Sequence, residues 1–155
     1  MRRVEDLIAE QPLVAGMRPE HLAVIAGCAQ NVRFEAGELI LQEGSAADRF
    51  YFLRSGAVAL EIAVPGRDHL VIETLGPGDA LGWSWLFEPY RWQYDARATE
   101  PVGALAFDAV CLRGKCVSDP ALGYELMRRF AGVLLRRLQA TRLQLIDVYG
   151  HARAH

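Results

Sequence analysis

The sequence predicts a mainly β fold with flanking helices, in which a double-stranded β-helix (jelly-roll) barrel lies between short N-terminal helices and a long C-terminal helix. Glycines punctuate the chain between residues 37 and 82, and the short runs between them are rich in β-branched, aromatic and aliphatic residues. Apolar residues recur at helical spacing before and after this region. The 155 residues are enough for one domain with its own core.

The N-terminal region carries helical signals. An apolar set with polar intervals comes first: Leu7, Ile8, Leu13 and Val14. Pro19 then stands at a first helical position, where the missing N–H of proline costs nothing. The helix predicted from there covers residues 19–29, and its apolar members are Leu22, Ile25, Ala26 and Ala29.

Six runs in the middle of the chain have the composition of strands. They cover residues 39–41, 50–53, 58–64, 70–75, 94–98 and 102–107. The turn sequence Pro65-Gly66-Arg67-Asp68 predicts a hairpin between the third and fourth runs. Six or more short strands at this spacing predict a sandwich or a roll.

Two helices are predicted after the last strand. Asp108 can cap a helix over residues 109–116. Pro120 starts another helix, which runs to about residue 148 without an internal proline.

The last helix carries an apolar stripe beyond what one barrel contact needs. We divide the chain into residues 1–120, the N-terminal helices and roll, and residues 121–155, the C-terminal helix of the same domain. The stripe repeats at three and four residues, the spacing of a helix–helix seam, at Met127, Phe130, Leu134, Leu138, Thr141 and Leu145. A helix of about 28 residues is about 42 Å long and must overhang a barrel that covers it to about Leu134. We therefore expect a homodimer through this helix; the alternatives are a helix folded back on its own barrel or packed on a different protein.

Composition excludes several classes of protein. Hydrophobic residues make up 52% and charged residues 23%, a globular balance. No apolar run approaches the ~18 residues of a membrane span. Acidic residues directly follow the first arginines, and no apolar core of a signal peptide follows, so we expect a cytoplasmic protein without a membrane partner.

Cysteine and histidine usage argues against a metal centre. None of Cys28, Cys111 and Cys116 lies in a C-x-x-C motif, and the four histidines are scattered. We expect reduced thiols, with redox sensing as the alternative, and no metal-dependent barrel enzyme. No nucleophile–base pair or paired carboxylates mark a catalytic site, so we expect no enzyme.

Basic residues concentrate at the C-terminus. Residues 121–155 hold six arginines against Glu125 and Asp147, although the whole chain has a net charge of -2. A basic tail can bind nucleic acid, but arginines on the outer face of a long helix are more often simply solvated. The chain is also too short after this helix for a DNA-reading domain, so we expect no direct nucleic-acid binding.

Four segments of the predicted roll share their order with a known family. Residues 34–40, 43–53, 55–58 and 75–82 read FEAGELI, EGSAADRFYFL, SGAV and LGPGDALG. This set resembles the cyclic-nucleotide-binding domain, the sensor half of the cyclic-AMP receptor protein superfamily, over roughly residues 10–148. The resemblance implies a roll whose glycines fit tight turns, and a dimerisation helix after it.

The family's ligand lies at a phosphate-binding cassette, a Gly-Glu pair followed about ten residues later by Arg-Ser/Thr-Ala. The Glu accepts from the ribose and the Arg pairs with the cyclic phosphate. Gly82 matches here, but Trp83 stands at the Glu position. Alignment on Ala96-Arg97-Ala98 puts Trp92 at the Arg position and Gln93 at the hydroxyl position. One lost charge-assisted bond of about 1.5–3 kcal/mol weakens binding about tenfold to hundredfold, so we predict no tight binding of cyclic AMP.

Six aromatic residues crowd the cassette: Trp83, Trp85, Phe87, Tyr90, Trp92 and Tyr94. Two interpretations stay open. The rings fill the former pocket as core, or they line a pocket for a flat or apolar ligand oriented by Arg91, Gln93 or Arg97. The candidate ligand-binding residues are Gly82, Trp83, Ser84, Trp85, Arg91, Trp92, Gln93 and Arg97.

These patterns predict a non-catalytic ligand-sensing or regulatory module, with no certain cofactor beyond a small-molecule effector in place of a cyclic nucleotide. One alternative is the sensor half of a transcription regulator that lacks its DNA-binding domain. The other is a degenerate domain used only for assembly.

Overall fold

The structure, a computed structural model, describes residues 3–66 and 68–153, the last three of these by their backbone alone. The N-terminal elements are α1 (Val4–Ala9), a 3-10 turn (Pro12–Val14) and α2 (Pro19–Ala26). The strands are β1 (Ala29–Phe34), β2 (Leu39–Leu41), β3 (Arg49–Ser55), β4 (Val58–Ile62), β5 (Leu70–Leu75), β6 (Ala80–Leu81), β7 (Asp95–Ala98) and β8 (Val102–Asp108). The helices after them are α3 (Ala109–Ser118) and α4 (Pro120–Arg153).

The strands form two four-stranded antiparallel sheets, in the orders β1-β8-β3-β6 and β2-β7-β4-β5. This arrangement confirms the predicted roll with flanking helices. The predicted hairpin is β4–β5, in which Val58 pairs with Leu75 and Ile62 with Leu70. β4 ends two residues earlier than predicted, because the chain enters the turn in which Gly66 has a φ of 78°.

One core joins the roll to α4. The ring of Phe50 on β3 lies between those of Trp85 and Phe107, with centroids 4.4 and 4.7 Å away and nearly parallel planes. Phe130 of α4 meets both Phe50 and Trp85 edge-on at 5.6 Å. Such pairs contribute about 0.5–1.5 kcal/mol each beyond their buried area, so this stack fastens the helix to the roll.

Sheet pairing and helix continuity move two of the predicted boundaries. α2 ends at Ala26, three residues earlier than predicted, because Ala29 is the first residue of β1 and pairs with Phe107. α4 continues to Arg153, five residues past its predicted end, since no proline stops it.

The two apolar faces of α4 have different environments. One face packs on the roll and is buried at Leu122, Leu126 and Phe130. The assignment of Phe130 to the dimer stripe was therefore wrong, because its four-residue spacing from Leu126 keeps it on the roll-facing side. The other stripe residues are exposed or half-buried: Met127, Leu134, Leu138, Thr141 and Leu145. Every residue from 138 to 150 is exposed, so α4 overhangs the roll as predicted.

Cys28 and Cys111 form a disulfide, which corrects the expectation of reduced thiols. The pairing of β1 with β8 brings them together across 83 residues, since the N–H of Asp108 donates to the carbonyl of Cys28 at 2.8 Å. The Asp108 carboxylate also caps α3 by accepting from the N–H of Cys111 at 3.0 Å, as predicted. Cys116 stays a free thiol, and burial raises its pKa.

Replacing Cys28 and Cys111 by serine is expected to lower the free energy of unfolding by about 2–4 kcal/mol, because the unfolded chain regains the freedom of a long loop. Urea unfolding of the wild type and the variant under oxidising conditions measures the loss. Cys116→Ser is the control, since it leaves the disulfide intact. Equal free energies of unfolding for the wild type and the double variant would contradict the presence of the Cys28–Cys111 disulfide.

Candidate functional site

Turns rather than strands build the segment that joins β6 to β7, residues 82–94, which we call the cassette. Gly82 opens it at a φ of 94°, in the left-handed region that favours glycine. A 3-10 turn follows at Ser84–Leu86, and Ser84 is buried within it. A cis peptide bond precedes Pro89, and the φ of Tyr90 is 55°.

The buried indole of Trp92 lies on Gly82. A Cβ atom added at Gly82 would lie only 2.6 Å from two carbons of the Trp92 ring. Backbone hydrogen bonds fix the position of Trp92, since its carbonyl accepts from Gly44 at 2.9 Å and its N–H donates to Ser45 at 3.0 Å. The position that the resemblance assigns to the phosphate-binding arginine is therefore filled by an apolar ring.

Gly82→Ala is expected to destabilise the protein more than Gly37→Ala. Both glycines have a positive φ, 94° and 89°, so alanine costs each of them about 1–2 kcal/mol of left-handed strain. At Gly82 the new methyl group also meets the Trp92 ring, which adds about 1–3 kcal/mol of overpacking. At Gly37 the new methyl group has no atom of another described residue within 4 Å, apart from the two chain neighbours. Urea unfolding compares the two variants, and equal losses would contradict the packing of Trp92.

Trp85 anchors the cassette to the core through its stack on Phe50. Its carbonyl accepts a 2.7 Å hydrogen bond from Arg113 of α3. The Arg113 guanidinium also lies 4.3 Å above the centre of the half-buried Tyr90 ring. Arg113 thus positions the cassette, and nothing in its local sequence pointed to this role.

Arg91 and Gln93 face away from the rings beside them. They are exposed, whereas the alternating Trp92 and Tyr94 are buried, as side chains on opposite faces of an extended segment are. The Arg91 guanidinium donates to the carbonyl of Gly44 at 3.2 Å, and the Gln93 amide donates to the carbonyl of Arg91 at 3.1 Å. Neither side chain is placed to orient a ligand against the buried indoles.

Arg97 belongs to a charged cluster on the sheet that contains β4 and β7. It donates to Glu61 at 3.1 Å and to the carbonyl of Gly37 at 2.9 Å. His69 lies 4.0 Å from Glu61 and 3.9 Å from Asp95. The structure therefore separates Arg97 from the cassette rings.

Trp83 contacts the long helix. The guanidinium carbon of Arg137 lies 4.3 Å from the centre of the half-buried Trp83 ring. Arg137 also donates to the carbonyl of Ala80 at 2.9 Å and lies 3.6 Å from the carboxylate of Glu73. Tyr94 meets Trp83 edge-on at 6.2 Å. We call Trp83, Tyr94, Arg137 and Glu73 the helix-contact cluster.

The helix-contact cluster holds unused hydrogen-bonding capacity. Two of its buried polar atoms, the Tyr94 hydroxyl oxygen and Nη1 of Arg137, have no hydrogen-bond partner in the described part of the chain. Burial raises the pKa of Tyr94 to about 12, while Arg137 lowers it and Glu73 raises it, so the phenol stays a neutral donor. A groove of about 390 Å³ between the β5–β6 turn and α4 is lined by Arg137 and Glu73.

The role of Arg137 was not predicted, although its position in the sequence carries a signal. Arg137 lies seven residues after Phe130 and four after Val133, in the apolar row that packs on the roll. An arginine in an apolar row that packs on the roll needs hydrogen-bond or ion-pair partners from the strands that face it, and Arg137 finds them in Ala80 and Glu73.

The aromatic rings of the cassette do not share one environment. Trp85, Trp92 and Tyr94 are buried, as in the interpretation that they fill the core. Phe87 is 48% exposed. Among the described residues, no group of three or more His, Cys, Asp or Glu side chains is arranged to hold a metal ion. No helix in this part of the chain has both the length and the hydropathy to cross a membrane.

A two-sheet roll with a turn-built cassette and a long helix packed beside it is a jelly-roll domain with flanking helices. Residues 31–119, more than half of the chain, match the family described as cyclic nucleotide-binding domain. The chain belongs to that family.

Individual relatives agree with this assignment. The chain is 30% identical over 146 residues to the CRP-like cAMP-activated global transcriptional regulator of Mycobacterium tuberculosis, covering 94% of this chain but 63% of the regulator. A crystal structure from Geobacter metallireducens GS-15, of a protein assigned to cyclic nucleotide binding, superposes with a TM-score of 0.79 and 31% identity, covering 89% of this chain and 99% of that one. The crystal structure of the catabolite activator protein of Thermus thermophilus superposes with a TM-score of 0.70 and 25% identity. The match covers 87% of this chain and 62% of that one. This chain thus spans less than two thirds of the M. tuberculosis regulator.

Proposed function

We propose that the chain is a non-catalytic regulatory domain that senses a small molecule other than a tightly bound cyclic nucleotide. The observation that carries the proposal is the buried Trp92 ring against Gly82. A cyclic phosphate at that position would have to displace the indole and would find no arginine there to pair with. Trp83, at the position of the ribose-binding carboxylate, is engaged by Arg137 instead.

We propose the helix-contact cluster as the effector site. The Tyr94 hydroxyl and Nη1 of Arg137 are buried without a hydrogen-bond partner in the described part of the chain. The groove lined by Arg137 and Glu73 reaches one edge of the cluster, although Trp83 and Tyr94 do not line it. A flat molecule with a hydrogen-bond acceptor would satisfy those donors and stack on Trp83. Because Arg137 belongs to α4, such a ligand would act directly on the position of the long helix.

The two histidines whose side chains the structure describes, His21 and His69, contact carboxylates. His21 is buried and shares hydrogen bonds with Glu125 at 2.9 Å and Arg18 at 3.0 Å. His69 lies in the charged cluster of Glu61 and Asp95. Both side chains are used in structural contacts, so we assign no catalytic residue.

We also propose a homodimer through α4. Four apolar residues of the stripe, together with Tyr149, form a surface that we call the seam: Met127, Leu134, Leu138, Leu145 and Tyr149. Leu134 is half-buried and the other four are exposed. At 3.6 residues per turn, the seam lies about 110° around the helix from the row that packs on the roll. One face of α4 can therefore bind the roll while the other binds a second copy, in the two-fold arrangement that is commonest for soluble oligomers.

Restoring the family's two polar residues tests the cassette. The double variant Trp83→Glu with Trp92→Arg is expected to bind cyclic AMP at least tenfold more tightly than the wild type, because each new charge recovers a hydrogen bond of about 1.5–3 kcal/mol. The control is Phe87→Glu with Gln93→Arg, which adds the same charges at exposed positions of the same segment. Calorimetric titration measures the gain, and thermal unfolding checks that both variants fold.

A degenerate assembly domain is the second candidate, favoured by the buried rings of Trp85 and Trp92. Native mass spectrometry of freshly purified protein separates the two functions. A retained small molecule that is lost on Tyr94→Phe with Arg137→Gln supports the sensor. A clean dimer without added mass, together with no thermal shift in a metabolite screen, favours assembly alone.

A further inference from the structure

A second groove lies on the other side of α4's contact with the N-terminal region. It encloses about 660 Å³ between the 3-10 turn, the start of α2 and the first half of α4. We call it the arginine groove, since four of its lining residues are Arg18, Arg128, Arg129 and Arg136. The cassette residues, all of which are described, do not line it. It shares Pro12, Leu13 and Arg136 with the groove beside the helix-contact cluster, whereas the four residues of that cluster do not line it.

The charge of the arginine groove is opposite to that of the chain. Its four arginines and one glutamate, Glu125, give a net charge of +3, on a chain whose net charge is -2. Glu125 is already used, because it pairs with Arg129 at 3.0 Å and with His21 at 2.9 Å. Arg128 and Arg136 have no hydrogen bond or ion pair with any described residue. The groove therefore offers two free guanidinium groups to an anion.

The wall of the groove is held in place before any ligand binds. Arg129 donates to the carbonyls of Leu13 and Ala15 at 3.0 and 2.8 Å, which ties the 3-10 turn to α4. Arg18 donates to Nε2 of His21, so the ring proton lies on Nδ1 and is donated to Glu125. Although burial raises the pKa of Glu125, the bonds from His21 and Arg129 outweigh it and hold that pKa below its ordinary value. A fixed wall spares a ligand the cost of ordering it.

The spacing of the free arginines selects the size of the anion. Arg128 and Arg136 are eight residues apart, about 12 Å along the helix axis at 1.5 Å per residue. Gly132 lies between them without a side chain, and Nη1 of Arg136 lies 3.7 Å from the position that a Cβ atom would take there, so the Arg136 guanidinium extends back over Gly132. Two guanidinium groups on one wall of a groove suit a chain of phosphates better than a single carboxylate.

An apolar surface adjoins the cations. Pro12, Leu13 and Tyr124, which is 70% exposed, also line the groove. We propose that the arginine groove binds a small organic polyphosphate with a ring, of the nucleoside diphosphate or triphosphate type. The phosphates pair with Arg128 and Arg136, and the ring stacks on Tyr124.

Calorimetric titration at low and high salt tests the proposal, with ATP and pyrophosphate as probes of the whole ligand and of the anion alone. Arg128→Gln with Arg136→Gln is expected to weaken both probes at least tenfold. Tyr124→Ala is expected to weaken ATP and to leave pyrophosphate unchanged. The matched control, Arg33→Gln with Arg54→Gln, removes the same charge from β1 and β3 and is expected to change neither. All these substitutions lie at exposed or half-buried positions, and thermal unfolding checks each variant.

Three results would overturn the proposal. One is wild-type protein that binds both probes no better than millimolar. Another is an equal loss of affinity in the control pair of arginine variants, which would show that the anions are attracted by positive surface charge in general and not by a specific site. The third is a single-stranded oligonucleotide that binds more tightly than ATP and loses affinity steeply with salt, which would assign the arginines to nucleic acid.

Discussion

Phe50→Ala is expected to lower the free energy of unfolding by about 3–5 kcal/mol, the cost of removing a large aromatic side chain from a packed core. The Phe50 ring is buried and contacts four other rings, Trp85, Phe107, Phe130 and Phe52, at centroid distances of 4.4 to 5.9 Å. Its loss opens a cavity where the cassette, the roll and α4 meet. Urea unfolding followed by circular dichroism measures the change.

Phe87→Ala is the matched control for this prediction. Phe87 has the same side chain and lies in the cassette whose Trp85 stacks on Phe50, but it is 48% exposed, so its truncation is expected to cost less than about 0.5 kcal/mol. Similar losses for the two phenylalanines would contradict the shared core of roll and helix.

Leu138→Glu with Leu145→Glu is expected to convert a dimer into a folded monomer. Leu138 and Leu145 are 49% and 53% exposed in the single chain, beyond the part of α4 that the roll covers. Each leucine buried in a symmetric pair contributes about 1.5–3 kcal/mol, so the two on each of two chains contribute about 6–12 kcal/mol before the cost of association. Two glutamates facing their symmetry mates would remove this contribution and add repulsion.

Sedimentation velocity measures the change in mass. Val117→Glu with Leu143→Glu is the control, because both residues are exposed, and Leu143 lies about 140° around α4 from Leu138. The control is expected to remain a dimer. Wild-type protein that is monomeric at tens of micromolar would refute the proposed dimer.

Local signals account for what the sequence predicted well. The hairpin of β4 and β5 follows from the proline and glycine of its turn, and the start of α2 follows from Pro19. The overhang of α4 follows from length alone, because a continuous helix of this length exceeds the roll. Each of these features depends on residues close together in sequence.

The features that could not be predicted from the sequence depend on contacts between segments that are distant in the chain. Cys28 meets Cys111 because β1 and β8 are in register, and no spacing rule contains that register. Phe130 belongs to the core because the roll, and not a second helix, covers its side of α4. The stripe from Met127 to Leu145 has the same periodicity whichever partner covers it, so the pattern alone did not separate the two faces.

Only part of the candidate site could be predicted, because some of its residues come from segments that are distant in the sequence. Trp83 and Trp92 were singled out because they replace the family's charged residues, and the structure places Trp92 on Gly82. Arg137 and Glu73, which surround Trp83, come from elements distant in sequence. Gly82 could be matched to the family's glycine from the residues around it. That the Trp92 ring fills the space beside Gly82 depends on the path of the cassette backbone, which the sequence does not show.

Calorimetric titration of the wild-type protein with cyclic AMP is the most direct test of the central claim, that Trp92 fills the place of the cyclic phosphate. The buried indole and the missing arginine predict a dissociation constant no tighter than about 100 μM, roughly -5.5 kcal/mol. The same weak binding is expected for cyclic GMP, since both share the cyclic phosphate. A constant near 1 μM for either nucleotide, about 2.7 kcal/mol tighter than that limit, would contradict the claim.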